Sequence, residues 1–249
     1  MAEIKTTGII IKKTDLGEAD RLLTVLSADL GKVKMVGKGV RKPKAKLSAW
    51  LDMFRCNHLT LAKGKTFYIA TGAQTEELLL KEGMDWDRLA VGYYLCELVD
   101  KNVEEDQELP GLFELLRESL KQLGTDQIPE LLIRASFELK FLELLGVSPE
   151  LERCVVTEAE LNVEEQYFFS MRMGGVISQG GSHRDDFARE VGVNEIKMMR
   201  VLKQYPVSAV AKIKVDSVVI DKTALCISDF VAHVLEARTK SMKVSEAMD

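Results

Sequence analysis

Seven cations stand within fifteen residues of this chain: Lys32, Lys34, Lys38, Arg41, Lys42, Lys44 and Lys46. No acid falls among them, and Gly31, Gly37 and Gly39 allow flexibility and close backbone approach. Such a run suits a polyanion, because each Lys or Arg that meets a phosphate releases a counterion. Trp50, Phe54, Phe67 and Tyr68 lie nearby in sequence. Rings beside a basic track are what single strands need: charge follows the phosphates while the π-faces accept any base. The same four rings fit equally well as core, and Lys32 and Lys34 also fit the solvated side of a strand.

Catalytic patterns are sparse. Gly64-Lys65-Thr66 matches the tail of a phosphate-binding loop, but the Gly required five residues earlier is Leu59. Strand-like sequence on both sides makes it a hairpin turn. Gly37-Lys38-Gly39 lacks the third Gly and the βαβ context of a dinucleotide site. Of three histidines, His58 sits within a strand pattern, His233 lies beside apolar residues and is expected in the core, and His183 has only Cys154 as a nearby thiol. Two ligands do not make a zinc site. Cys56, Cys96, Cys154 and Cys226 lie far apart and fit reduced, buried thiols. Glu104-Glu105-Asp106 and Glu164-Glu165 fit solvated runs rather than an acid/base pair. No reaction is selected, and the expectation is a protein that is not an enzyme and carries no cofactor.

The 249 residues are 46% hydrophobic, enough for a core, and carry a formal charge of -5. That charge is divided unevenly. Residues 1–80 hold 14 basic and 8 acidic side chains, a net of +6, whereas the remainder nets -11. A basic N-terminal third inside an acidic chain points to a polyanion partner on one part only. No apolar run approaches the roughly 18 residues of a membrane span, and Met1-Ala2-Glu3-Ile4-Lys5 does not open a signal peptide. A soluble, cytoplasmic protein is expected.

The elements that must position these groups change texture near residue 80. Before it, residues 7–13, 21–27, 32–36, 56–62 and 66–71 are short, β-branched or alternating runs between Gly, Asp and Lys turns. Five such strands suit a small barrel, either an OB-fold or an SH3-like one. After it, Asp85 caps a helix with Leu89, Tyr93, Cys96 and Val99 on one face. Pro110 precedes a second helix through Leu112, Phe113, Leu116, Leu120 and Leu123 to Gly124. Residues 130–145 are apolar nearly all round, which predicts a central buried helix ended by Gly146 and Pro149. A hairpin is expected through Tyr167-Phe168-Phe169-Ser170 and Val176-Ile177, and helices over 185–204 and 223–238. The class is α+β, with residues 1–80 the basic barrel, 81–249 an acidic helical domain, and 150–182 a small β-rich insert within it.

Several stretches resemble the bacterial RecO family of recombination mediators. They are Gly17-Glu18-Ala19-Asp20-Arg21-Leu22-Leu23, Leu26-Ser27, Gly31-Lys32, and Val36-Gly37-Lys38-Gly39-Val40-Arg41-Lys42. Phe168-Phe169-Ser170, Gly174-Gly175 and a late Lys240-Ser241 pair continue the match in order, so that it covers essentially the whole chain. The resemblance implies an N-terminal OB-fold, a helical domain, and work in homologous-recombination repair. It implies binding to single- and double-stranded DNA, annealing of complementary strands, and action with RecR on strands coated by the single-stranded DNA-binding protein, helping to load RecA. A nucleoid-associated location follows from it. It also places a pocket for the acidic tail of the single-stranded DNA-binding protein in the helical domain. Such a pocket needs apolar walls and a cationic rim. Arg134 and Lys140 lie there, but Glu130 and Glu138 flank Arg134 at pairing distance along the helix.

One departure from the family concerns metal. Many members hold zinc through two Cys-x-x-Cys pairs in the insert, which map here to Cys154 and Thr157, then Ser178 and Gly181. Only Cys154 keeps a thiol, so no metal is expected and the insert should hold by packing around Tyr167, Phe168 and Val176. Gly37 stands where the family usually has Ala. Two other readings fit the residues alone: an RNA-directed OB-fold factor, or a non-catalytic scaffold working through its acidic helices. DNA and RNA titrations separate the three.

Overall fold

The computed structural model describes residues 3–81, 83–162 and 166–246. Glu164 and Glu165 lie outside the described residues, as do the side chains of Lys240 and Ser241. The chain divides into two compact units, Met1–Glu130 and Leu131–Asp249.

In the first unit, alternation produces five strands: β1 (Glu3–Leu16), β2 (Asp20–Ser27), β3 (Gly31–Gly37), β4 (Arg55–Lys63) and β5 (Tyr68–Leu78). They close into a barrel in the order β1-β2-β3-β5-β4, with β4 returning antiparallel to β1 and β3 meeting β5 in a short parallel pair. This is the OB-fold, and the SH3-like alternative drops out. Ile10, Leu23, Val25, Val33, Met35, Leu59 and Leu61 fill the interior. β1 and β5 run further than alternation alone marks, because pairing with β4 extends the start of β1 and the end of β5, and pairing with β2 extends the end of β1. Residues 64–67 form the β4–β5 hairpin turn, so Gly64-Lys65-Thr66 belongs to a turn.

Two helices complete this unit, α1 (Trp86–Asn102) and α2 (Leu112–Leu123). Asp85 caps α1 through the Asp87 amide at 2.8 Å. The buried side of α1 differs from the expected one. Val91, Leu95 and Leu98 join Cys96 and Val99, while Tyr93 is exposed. Packing shifts the face: at Gly92 a Cβ would stand 2.5 Å from Leu80 Cδ1 and close to Phe54 and Leu120. Gly31 serves a similar close approach rather than flexibility. It has φ 65°, and a Cβ there would stand 2.3 Å from the Gln107 carbonyl oxygen. Arg88 ties the helices together from α1. It is buried, and its guanidinium donates to the carbonyls of Leu123 (3.2 Å), Thr125 (2.6 Å) and Ile128 (2.7 Å). It thereby satisfies the end of α2 and the turn after it.

The second unit is built on α3 (Glu130–Leu144), buried almost all round as expected. Phe137 and Phe141 stack within it at 5.6 Å. Around it lie β6 (Tyr167–Ser170), β7 (Gly175–Ser178), β8 (Arg189–Val191), α4 (Val193–Gln204) and α5 (Ser217–Glu246). The sheet order is β7-β6-β8. The helix expected from 185 therefore begins only at Val193, because Arg189–Val191 pairs with β6 first. The last helix begins at Ser217, six residues earlier than expected. In the insert, Tyr167 and Phe169 face inward and Phe168 does not, since alternate strand positions share a face. His233 is exposed, not core, because Ala224, Ile227, Phe230, Val231 and Leu235 are among the residues of α5 that bury. Lys140 and Ser136 cap the end of α4: Lys140 Nζ donates to the Leu202 and Lys203 carbonyls at 2.7 and 2.6 Å. Among the described residues, no helix is long and apolar enough to cross a membrane.

Replacing Arg88 with Ala leaves three carbonyls short of a charged donor. Loss of about 3 kcal/mol is expected, seen as a lower urea midpoint with faster amide exchange at the end of α2. Lys at this position should recover only part, since one ammonium cannot span the three acceptors.

Candidate nucleic-acid interface

The basic run lies mostly in the connection from β3 to β4. Residues 38–54 form successive turns with no regular helix. Buried Val40 and Leu51, with Leu47 packed on the barrel core, anchor this segment to the barrel. Its backbone is held locally: Lys42 N donates to Gly39 O at 3.1 Å, and Ala45 N to Lys42 O at 3.0 Å. Gly39 takes φ 68°, and its amide donates to Asp20 Oδ1 at 2.7 Å. Arg41 is oriented by the Gly17 carbonyl at 2.7 Å and by Asp15 at 3.1 Å. Lys38, Lys42, Lys44 and Lys46 are exposed and have no ion pair among the described residues. Apolar residues thus fasten the segment while its cations project.

Lys32 and Lys34 stand apart from the rest. Lys32 is only 7% exposed, and its ammonium donates to the Asp100 carbonyl at 2.6 Å. Burial pushes its pKa down, and the charges of Asp100 and Glu105 oppose that. Lys34 forms an ion pair with Glu105. Both cations on β3 therefore bind the barrel to the end of α1 and the chain after it. The aromatic candidates also divide. Phe54 is buried, Phe67 and Tyr68 are half-buried, and Trp50 is 39% exposed. Lys12, Lys13, Arg55 and Lys81 gather near Tyr93 on the barrel–α1 seam. Sequence spacing missed this group because it assigned Tyr93 to the buried face.

Other candidate chemistry is occupied structurally. His58 Nδ1 lies 3.1 Å from Thr7 Oγ1, with Nε2 3.7 Å from Glu76. Arg134 stands 3.9 Å from Glu138. Burial pushes the Cys56 and Cys226 thiols up to about 12, which keeps both neutral. Among the described residues, no group of three His, Cys, Asp or Glu could hold a metal.

Of the four positions that the resemblance maps to a zinc site, Cys154 and Ser178 meet, as a hydrogen-bonded knuckle. Cys154 is 1% exposed, and its Sγ accepts from Ser178 N at 3.3 Å and Ser178 Oγ at 3.4 Å. Burial pushes this thiol up, yet these donors outweigh it and bring its pKa to about 6. Gly181 has no room for a ligand: a Cβ would stand 2.9 Å from Ile177 and 3.0 Å from Val156. This set does not fit a tetrahedral zinc ion. Elemental analysis after dialysis against a mild chelator should find far less than one zinc per chain, and chelator should leave the melting temperature unchanged. Ser178→Ala should cost about 1–2 kcal/mol, measured by denaturant unfolding, because it removes a buried donor to Cys154.

Comparison with known proteins bears on the whole chain. Residues 1–78 match the family described as Recombination protein O N terminal, and residues 83–243 match Recombination protein O C terminal. DNA repair protein RecO of Dehalococcoides mccartyi (strain CBDB1) is 32% identical over 240 residues, covering 96% of this chain and 94% of its own. The proteins of that name from Roseiflexus sp. (strain RS-1) and Bacillus subtilis (strain 168) are 30% and 29% identical. They cover 96% and 84% of this chain, and 83% and 80% of their own lengths. With both halves matched in order along nearly its full length, the chain belongs to the RecO family of recombination proteins.

Proposed function

We propose that this chain is a DNA repair protein of homologous recombination that binds single- and double-stranded DNA through the β3–β4 segment of its barrel. The observation that carries the reading is the set of exposed cations Lys38, Arg41, Lys42, Lys44 and Lys46 on a segment anchored by Val40, Leu47 and Leu51. Lys32 and Lys34 support this surface by holding β3 to its neighbours and do not themselves meet phosphate. Residues 1–80 act as the DNA-binding domain, and residues 81–249, with their insert at 150–182, as the acidic body.

Annealing then needs no covalent step, so the protein is not an enzyme. Two complementary strands repel through their phosphates. A protein that neutralises phosphates without reading bases brings the strands together and leaves pairing to the bases. Family membership supports RecR and the single-stranded DNA-binding protein as partners, RecA loading as the outcome, and a cytoplasmic, nucleoid-associated location.

The test is an equilibrium titration of labelled DNA and RNA oligonucleotides over a range of salt. With four or five phosphate contacts, log K on single-stranded DNA should fall against log salt with a slope of about -3. Replacing Arg41, Lys42 and Lys44 together with Ala should weaken binding to every DNA sequence alike and flatten the slope by about two. The fold should persist, since exposed substitutions usually shift stability by about 0.5 kcal/mol. Lys32→Ala should do the reverse, lowering stability with little change of slope. Unchanged affinity and slope in the folded triple variant would place DNA elsewhere, and a preference for RNA without DNA annealing would favour an RNA-directed factor.

A further inference from the structure

Two adjoining concavities of about 430 and 400 Å³ open where α1 meets the barrel, and both are lined by Lys13, Met53 and Tyr93. Ile11, Phe54 and Leu80 supply buried apolar wall. Leu78 and Tyr93 remain 40% and 49% exposed there, which is unpartnered apolar surface inside a recess. Tyr93 stands edge-on to Phe54, with ring centroids 4.8 Å apart. Phe54 itself holds φ 60°, a conformation that bulky residues seldom adopt. Such conformations collect at binding sites, where the surrounding structure enforces them.

The charges around this cleft are mixed, with a positive excess. Lys12 pairs with Asp100 at 2.7 Å, Lys13 with Asp52, and Lys101 with Glu97. Arg55 and Lys81 have no ion pair among the described residues. The cleft is also continuous with the basic segment. Residues 38–54 begin at the exposed lysines and end at Asp52, Met53 and Phe54 in the cleft wall. On β1, Lys13 lies two residues from Asp15, which holds Arg41. That is about 7 Å along a strand, or roughly two nucleotides of a stacked single strand at 3.4 Å each.

We infer that this cleft receives an unstacked base of single-stranded DNA, with the Tyr93 ring as its platform and Arg55 and Lys81 beside the flanking phosphates. The inference rests on the DNA-binding reading above and adds a site that tells single strands from duplex. A paired base stays in its stack and cannot enter, whereas an unpaired one brings its π-face to the ring and its backbone to the cations.

Tyr93→Ala, Tyr93→Leu and Tyr93→Phe are to be titrated with oligo-dT and with a duplex. A parallel arm crosslinks wild-type protein to a 5-iodouracil oligonucleotide and maps the attached peptide. Ala and Leu should weaken oligo-dT binding about tenfold or more, Phe should restore it, and duplex affinity should stay within about twofold. The salt slope should not change, since stacking releases no counterions. The crosslink should fall on the peptide carrying Tyr93, a result independent of how any variant folds. If Ala and Leu bind as wild type and the crosslink lies elsewhere, the cleft assignment is wrong, while loss of binding in the Arg41/Lys42/Lys44 variant would still uphold the basic segment. If wild type binds no DNA, both fail. An acidic, aromatic-ended peptide that needs Tyr93 to bind, with DNA affinity untouched by the Tyr93 variants, would assign the cleft to a protein partner and overturn the inference.

Discussion

Closure of the barrel through β4 onto β1 and β5 onto β3 governs what the rest of the first unit can do. Because β5 lies between β3 and β4, the chain leaving β3 cannot turn directly into β4. It has to travel around the barrel, and residues 38–54 are that journey. Long connections without secondary structure are usually functional. This one is held by Val40, Leu47 and Leu51 rather than by a ladder of its own, so its polar side chains are left to face outward. The topology thus creates a surface strip with little internal demand on it, and the sequence fills that strip with Lys and Arg.

The contrast between neighbouring cations follows from the same constraint. Lys32 and Lys34 sit in β3, where the chain after α1 lies alongside: Asp106 N donates to Lys32 O at 2.8 Å. A lysine there is drawn to Asp100 and Glu105. Lys38 to Lys46 begin where the ladder ends, and among the described residues only Arg41 finds a carboxylate. Identical residue types therefore serve stability on one side of Gly37 and remain available for a polyanion on the other.

In the second unit, the insert is held by hydrogen bonds and apolar contact. A sulfur taken out of water needs partners, and the amide and hydroxyl of Ser178 donate to Cys154. The knuckle joins the turn at Cys154 to β7 while Tyr167, Phe169 and Val176 supply the apolar contact. Phe169 meets Phe230 of α5 edge-on at 5.5 Å, so the small sheet is also tied to a helix by packing.

Periodicity and turn residues by themselves determined the five strands, the caps at Asp85 and Gly124, the burial of α3 and the location of the basic run. Those features arise from local chemistry: alternation, φ preferences and charge do not depend on what the chain later meets. That Thr157, Ser178 and Gly181 carry no thiol is likewise read from the sequence alone. Only the tertiary structure decided that the barrel is an OB-fold, because strand order depends on long-range pairing. It also decided that Lys32 is buried, that Phe169 rather than Phe168 turns inward, and that Tyr93 and His233 stay exposed. A helical face is selected by its neighbours, here Leu80, Phe54 and Leu120 against Gly92, and a lysine's role by the acids that packing brings to it. Neither is encoded within one turn of the residue concerned.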